Sequence, residues 1–352
     1  MKNLIKRVAL AILFTLCRQS PAIIFFATAN PDFNTTPPTG PLAGAGWDLQ
    51  GQWGTVLATP IAPSYFIAAR HTAGQIGDKI IFDGRAFATV GFFDSPESDL
   101  RVWKISGAFP RFARLYEKSD ESGKSAVVFG RGAERGSEVR VGGLLGSELK
   151  GWVWGSAGSR QRWGENQVSR ILSTSETGAG MGDLLRFDFN ANGGAIEAHV
   201  SGGDSGGGVF VRDTDGWKLA GLVFAVEGPY STSLSGPEFG AAVFDEGGLY
   251  KRRVYIPETP FDQPGAFYAT RISSNLEWIR GVLASAEPAM ILFSSSSVTG
   301  PYAIETKALI DSARSSIVLP IPASNRFFIL QDSVARRLRI QIENGNLLMN
   351  YE

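Results

Sequence analysis

The chain has 352 residues, 43% hydrophobic and 19% charged, proportions of an ordinary globular protein rather than a disordered or membrane one. With 34 basic and 34 acidic residues it carries no net charge, so no global field draws it to nucleic acid or to an anionic membrane, and no long basic run offers a local one. Cys17 is the only cysteine and lies in an N-terminal apolar segment, which excludes disulfides, a cysteine-rich zinc site and a thiol nucleophile from a processed chain; the only histidines are His71 and His199, so a near-neutral proton shuttle has almost no choice of residue.

In chain order, Lys2, Lys6 and Arg7 precede the apolar run Val8 to Leu16, and a second apolar stretch, Ala22 to Phe26, leads to Ala27-Thr28-Ala29. Charged start, apolar run and small-x-small site read as an export signal over residues 1–29, cleaved after Ala29, which places the protein outside the cell, in a periplasm or at the cell surface. Arg18 interrupts the run and argues against a spanning helix, and bulky Phe14 and Leu16 argue against lipid attachment at Cys17. Residues 30–46, rich in Pro, Gly and Thr, read as a linker or extended arm.

From Trp47 the pattern becomes short strands: Gly54 to Ala58, Tyr65 to Ala69, Lys79 to Phe82, Ala88 to Phe93 and Leu100 to Ile105. The last alternates cleanly, with Leu100, Val102 and Lys104 on one side and Arg101, Trp103 and Ile105 on the other. The charged stretch Glu117 to Lys124 separates this set from a second, which includes Ala126 to Gly130, Leu184 to Phe189, Gly208 to Val211 and Leu219 to Ala225. Regular strands with turn signals between them predict an all-β sandwich or barrel. Ile272, Leu276, Ile279 and Leu283 recur at helical spacing, Ser274 and Glu277 read as a capping box, and Glu287-Pro288 ends the helix. Beyond it, residues 287–352 return to strands and read as a small β-rich module.

The segment with most chemical content is Ser201-Gly-Gly-Asp-Ser-Gly-Gly-Gly208. A serine with glycine close on both sides can sit on a turn too tight for larger side chains, its hydroxyl exposed and the neighbouring backbone N–H groups converging on one point. An acyl-transfer nucleophile needs that arrangement; a flexible Gly/Ser loop is the bland alternative. Ser205 also needs a base. His71 directly follows the strand Tyr65 to Ala69, and Asp99, which would fix the imidazole tautomer, opens the strand Leu100 to Ile105. Asp94 is the rival carboxylate, set further from the strand start.

These residues carry a resemblance to trypsin-like serine proteases, in family order over residues 47–286. Gly203-Asp204-Ser205-Gly206-Gly207 resembles the nucleophile motif of that family, Ile67-Ala68-Ala69-Arg70-His71 its histidine strand end, and Asp99 to Ile105 its aspartate strand. Ala126 to Gly132 is similar to the strand that opens the second barrel, and Gly265 to Ile279 to the last strand and terminal helix. The resemblance implies two antiparallel six-stranded β-barrels, about 47–120 and about 124–272, a C-terminal helix at 273–286, and a catalytic triad of His71, Asp99 and Ser205 between the barrels. It further implies an oxyanion hole from the Gly203 and Ser205 N–H groups, a protein or peptide substrate, and no cofactor or metal.

Departures from the family pattern also bear on function. Arg70 replaces a small residue, and Thr72 and Ser201 stand where vertebrate members carry cysteines, as in a disulfide-free bacterial version. No Ile-Val-Gly-Gly activation sequence precedes the first barrel, so Asp204 must find a partner other than a new N-terminus. His199 aligns with the base of the specificity pocket and Phe224-Ala225-Val226 with its wall, which gives a pocket of His199, Phe224 and Val226 for small apolar side chains or, with His199 protonated, for acidic ones; an ordinary partly buried histidine is the competing reading. The same triad would serve an esterase, an inactive protease-fold binding protein is a second class, and residues 290–352 would supply cell-surface attachment in a third.

Overall fold

The computed structural model describes residues 20–21, 23–143, 146–285, 291–305, 307–311, 316–331 and 337–351. The expected apolar run of an export signal, Val8 to Leu16, lies outside them. The alternating segments fold as two closed, antiparallel, six-stranded barrels. The first runs Gly51–Trp53, Val56–Ala62, Tyr65–Ala69, Leu100–Ile105, Arg85–Asp94 and Lys79–Phe82, and closes back on Gly51–Trp53. Local chemistry sets its hairpins: Phe82 pairs with Arg85 across Asp83 and Gly84, whose φ angles of 52° and 70° are those an Asp-Gly turn adopts most readily.

The second barrel runs Ser125–Gly130, Arg162–Leu172, Leu184–Asp188, Ala266–Arg271, Gly216–Val226 and Gly208–Asp213, closing on Ser125–Gly130. Numbered along the chain, the strands of both barrels follow the same order around the closure, first-second-third-sixth-fifth-fourth. A long hairpin, Ala133–Gly143 with Gly146–Arg160, leaves the second barrel between its first two strands.

Trp53, Phe66, Phe82, Phe87, Trp103 and Phe109 pack inside the first barrel. Between the barrels, Leu57, Ile67, Leu100 and Val102 meet Val127, Phe129, Phe210, Leu219 and Leu222. Leu100–Ile105 is therefore buried on both faces: Val102 faces this junction and Trp103 the barrel interior. The helix Leu276–Ser285 adds Leu276 and Ile279 to the junction, as its spacing predicts, with Val282 buried beside them and Leu283 only partly buried. Its start differs from the expected Ser274–Glu277 box: a 3-10 turn, Ser273–Asn275, leads in, Ser273 Oγ donates to Glu121, and Asn275 Nδ2 donates to the Arg271 carbonyl.

Past the helix, Ile291–Ser295, Ala303–Ile304 and Phe327–Gln331 form one sheet, and Leu309–Asp311, Ser316–Pro320, Leu338–Glu343 and Asn346–Tyr351 another, with Leu292, Ile317, Leu319 and Met349 buried between them. No helix among the described residues is long and apolar enough to cross a membrane.

The residues just before the expected boundary at Ala29 pack against the second barrel. Ile24–Phe25 is a strand paired with Ala198–His199 of the second barrel, and Ile23 and Phe25 belong to that barrel's core at 0% and 1% exposure. Phe26 meets Trp152, Phe189 and Phe244 edge-on. Cleavage after Ala29 would remove these side chains from the second barrel's core. Residues 30–46 are likewise packed rather than free: Asn34 and Thr36 bond to Trp163, and Ala45 is fully buried.

Candidate active site

Strand register brings His71 and Asp99 together. In the first barrel Ala69 pairs with Leu100, so the residues leaving one strand and entering the other lie at the same end. Arg70 N donates to the Asp99 carbonyl at 2.9 Å, and the next residue, His71, sits in the 3-10 turn Arg70–Thr72. Both oxygens of Asp99 then engage His71: Oδ1 accepts the backbone N–H at 3.0 Å and Oδ2 lies 2.5 Å from Nδ1. The Asp99 side chain is 8% exposed and that of His71 41%, so the carboxylate is buried behind an accessible ring. A buried carboxylate spent on one imidazole fixes the tautomer that leaves Nε2 free to accept a proton.

Across the cleft, Nε2 of His71 stands 2.8 Å from Ser205 Oγ. Ser205 lies on the connection leading to Gly208–Asp213, between Gly203 at φ +96° and Gly206 at φ +77°. At Gly206 a methyl group would come within 2.4 Å of the Leu57 carbonyl, and at Gly207 within 1.9 Å of the Phe129 carbonyl, so the loop threads between the barrels only with glycine there. Along this loop the N–H groups of Asp204, Gly206 and Gly207 donate to Ser201, Val223 and Asp204 carbonyls. Those of Gly203 and Ser205 have no acceptor among the described residues. Unspent donors beside a hydroxyl in contact with an imidazole are what a developing oxyanion requires.

Asp94 has different work. Its carboxylate makes a two-point pair with Arg101, Nε at 2.5 Å and Nη2 at 2.8 Å, which holds it below its ordinary value. Arg70, the unusual neighbour of His71, turns away and donates to the Ser95 carbonyl at 3.0 Å. Asp204 is fully buried and meets no ammonium group among the described residues; Gly132 N, Ser201 N and Ser201 Oγ donate to it at 2.6, 2.7 and 2.9 Å. Burial outweighs these dipoles and pushes its carboxyl up to about 6.

The expected pocket residues separate. Phe224 meets His71 edge-on at 5.7 Å, and Phe224 and Val226 line a cavity of about 720 Å³ with Leu172, Met181, Leu184 and Val254. His199 lines neither this cavity nor the one of about 700 Å³ on the other side of the triad, which Trp53, Val56, Thr72 and Lys79 share with His71, Gly203 and Ser205. It is 1% exposed, its Nδ1 bonds the Val200 carbonyl at 2.6 Å, and its ring packs on Phe189 and Phe267. Burial takes it down to about 4, so it is neutral near pH 7 and cannot attract an acidic side chain. The pocket-floor reading of His199 is corrected by this placement.

Two supports escaped sequence reading. Asn275, at the start of the helix, accepts from Ser98 Oγ at 2.8 Å and so buttresses the turn carrying Asp99. Gln50 Oε1 accepts from Gly208 N at 3.0 Å at the far end of the nucleophile loop. Among the described residues no group of three or more His, Cys, Asp or Glu side chains is placed to hold a metal ion. In comparisons with known proteins, no family model matches the chain and no curated protein matches it.

Proposed function

We propose that the protein is a serine hydrolase of the trypsin-like type, acting on polypeptides, with Ser205 as nucleophile. The observation that carries this reading is the continuous contact from Asp99 through His71 to Ser205, 2.5 and 2.8 Å, made by residues from both barrels. Ser205 Oγ attacks the substrate carbonyl carbon while its proton passes to His71 Nε2; Nδ1–H stays on Asp99, which stabilises the imidazolium. The carbonyl oxygen, now anionic, takes the N–H groups of Gly203 and Ser205. As the tetrahedral adduct collapses, Nε2–H is given to the leaving amine, and an acyl ester on Ser205 remains. Water, deprotonated by the same nitrogen, attacks that ester and releases the acid and Ser205.

A strand edge favours peptides over simple esters. Gly216–Val226 pairs with Gly208–Asp213 only as far as Leu222, and Val223 bonds Gly206 and Gly207. From Phe224 to Val226 one edge pairs with Ala266–Arg271, while the other opens on the cleft beside His71. An open edge next to a nucleophile takes an extended chain by backbone pairing, and the apolar cavity at Phe224 and Val226 takes its alternate side chains. Export is part of this proposal, supported by Lys2, Lys6, Arg7 and the apolar run that follows.

Turnover of a quenched-fluorescence peptide library and of a matched ester by the full chain, beside Ser205→Ala, tests the reading. Ser205-dependent peptide cleavage, enriched for apolar residues on the acyl side, is expected. Ester turnover without peptide cleavage would make it an esterase, and no turnover of either by the folded protein would remove the hydrolase reading.

A further inference from the structure

The nucleophile loop does not stand on the second barrel alone. The segment feeding it, Ala198–His199, has a single ladder partner among the described residues, the strand Ile24–Phe25. Phe26 N adds a bond to the Glu197 carbonyl at 3.2 Å. The arm that carries this strand, residues 23–36, is gripped by two arginines. Arg162 is 3% exposed and spends its guanidinium on three arm carbonyls, Ile23 at 3.1 Å, Asn30 at 3.1 Å and Phe33 at 2.7 Å, with its plane 4.6 Å from the Phe25 ring centre. Arg135 donates to the Phe25 and Phe26 carbonyls and lies 3.6 Å from the Trp152 ring centre.

Arg162 makes no ion pair among the described residues, so backbone carbonyls of the arm are what satisfy a buried cation. With the arm away, that cation would be orphaned and Ala198–His199 would lose its ladder, both costly in a closed core. Contact is tight enough to transmit displacement: a methyl group on Gly164 would meet Ala198 at 2.3 Å and the Phe25 ring at 2.9 Å. From His199 the chain continues through Val200 into Ser201, whose Oγ is tied to Ala133 and Asp204, one residue short of Ser205.

We infer that the docked arm is a working part of the site, with Arg162 the positioning residue that clasps it and so holds the loop of Ser205 and its Gly203 and Ser205 N–H donors in place. The inference rests on Ser205 as the nucleophile, and its test separates the two ideas. Full-length parent, Arg162→Gln and Arg135→Gln are compared by fluorophosphonate labelling rate per folded molecule and by amide exchange. In Arg162→Gln, labelling slows roughly 10²-fold, the loss a small misplacement of reacting groups brings. The hydrogen-bonded loop amides, those of Ser201 and Asp204, lose protection, while Tyr65–Ala69 and Leu100–Ile105 exchange as in the parent. An Arg162→Gln protein whose 24–26 amides exchange freely but which labels at the parental rate, with the Ser201 and Asp204 amides still protected, overturns the inference. Should Arg162→Gln not fold, Arg135→Gln decides, with roughly tenfold slower labelling expected and an unchanged rate contradicting it. An unlabelled parent removes the hydrolase reading, and the exchange comparison still decides whether the arm orders the loop.

Discussion

The two barrels share one strand order and differ in how they complete themselves. In the first, connections are short and the interior is closed by its own aromatic side chains, Trp53, Phe66, Phe82, Phe87, Trp103 and Phe109. In the second, residues 131–161, 189–207 and 227–265 bridge successive strands, and the interior takes Ile23 and Phe25 from an arm outside the barrel. The second barrel buries His199, Glu197 and Asp204, while the first buries Asp99 behind His71. Yet the proposed chemistry uses equivalent places. His71 and Ser205 each lie on the connection from third to fourth strand of their own barrel, and Asp99 on that from fifth to sixth in the first. In the proposed mechanism a self-sufficient barrel supplies the base and its orienter, and an assembled one supplies the nucleophile.

That division can be broken at the site itself, where the largest effects lie. Ser205→Ala or His71→Ala should reduce hydrolysis by roughly 10⁶-fold, and Asp99→Asn by roughly 10⁴-fold. Because the parts act as a unit, the double variant His71→Ala/Ser205→Ala should lose no more than either alone. Kinetics on one peptide substrate check this, and additive losses would mean that the barrels do not share a single mechanism.

Next come the cores. Phe66→Ala, at 0% exposure in the first barrel, and Phe25→Ala, at 1% in the arm, should each cost about 3–5 kcal/mol in denaturant unfolding. A negligible cost at Phe25 would show the second barrel to be complete without its arm.

The pH dependence sharpens the contrast further. His199 titrates at 6.5 in a free chain and at about 4 when folded, so between those values the unfolded chain binds the additional proton. Its contribution is full above pH 6.5 and is lost as pH falls toward 4, roughly 3 kcal/mol in all. Asp204 runs the other way: raised from 3.8 to about 6, it weakens the fold as pH rises through that window. His199→Gln isolates the first effect. The stability difference between parent and variant should move by roughly 3 kcal/mol in the variant's favour between pH 7 and pH 4, measured by urea unfolding. A constant difference would contradict the buried neutral ring.

Smallest is Asp94→Asn, which breaks a partly exposed pair with Arg101. It should cost under about 1 kcal/mol and leave hydrolysis within about twofold, marking Asp94 off from Asp99.

Much of this architecture was legible in the residues. Alternation in Leu100 to Ile105 and the glycines around Ser205 are local signals, and local signals survive folding. The arm was not legible for a physical reason. Ala22 to Phe26 followed by Ala27-Thr28-Ala29 has the composition of an export signal, and an apolar run looks the same whether it is discarded or buried. His199 was misplaced on similar grounds, since its position in sequence does not reveal that Phe189, Phe267 and the Val200 carbonyl enclose it. Asn275 works across a distance of 177 residues to Ser98, beyond what spacing can show.

The central claim is that Ser205 is activated across the cleft by a histidine held on the other barrel. Fluorophosphonate labelling of the folded full-length protein, read by intact mass and peptide mapping, tests it directly. One adduct on Ser205, absent from His71→Ala and from Ser205→Ala, is the predicted result. A folded parent that stays unmodified, or equal labelling of His71→Ala, would contradict it.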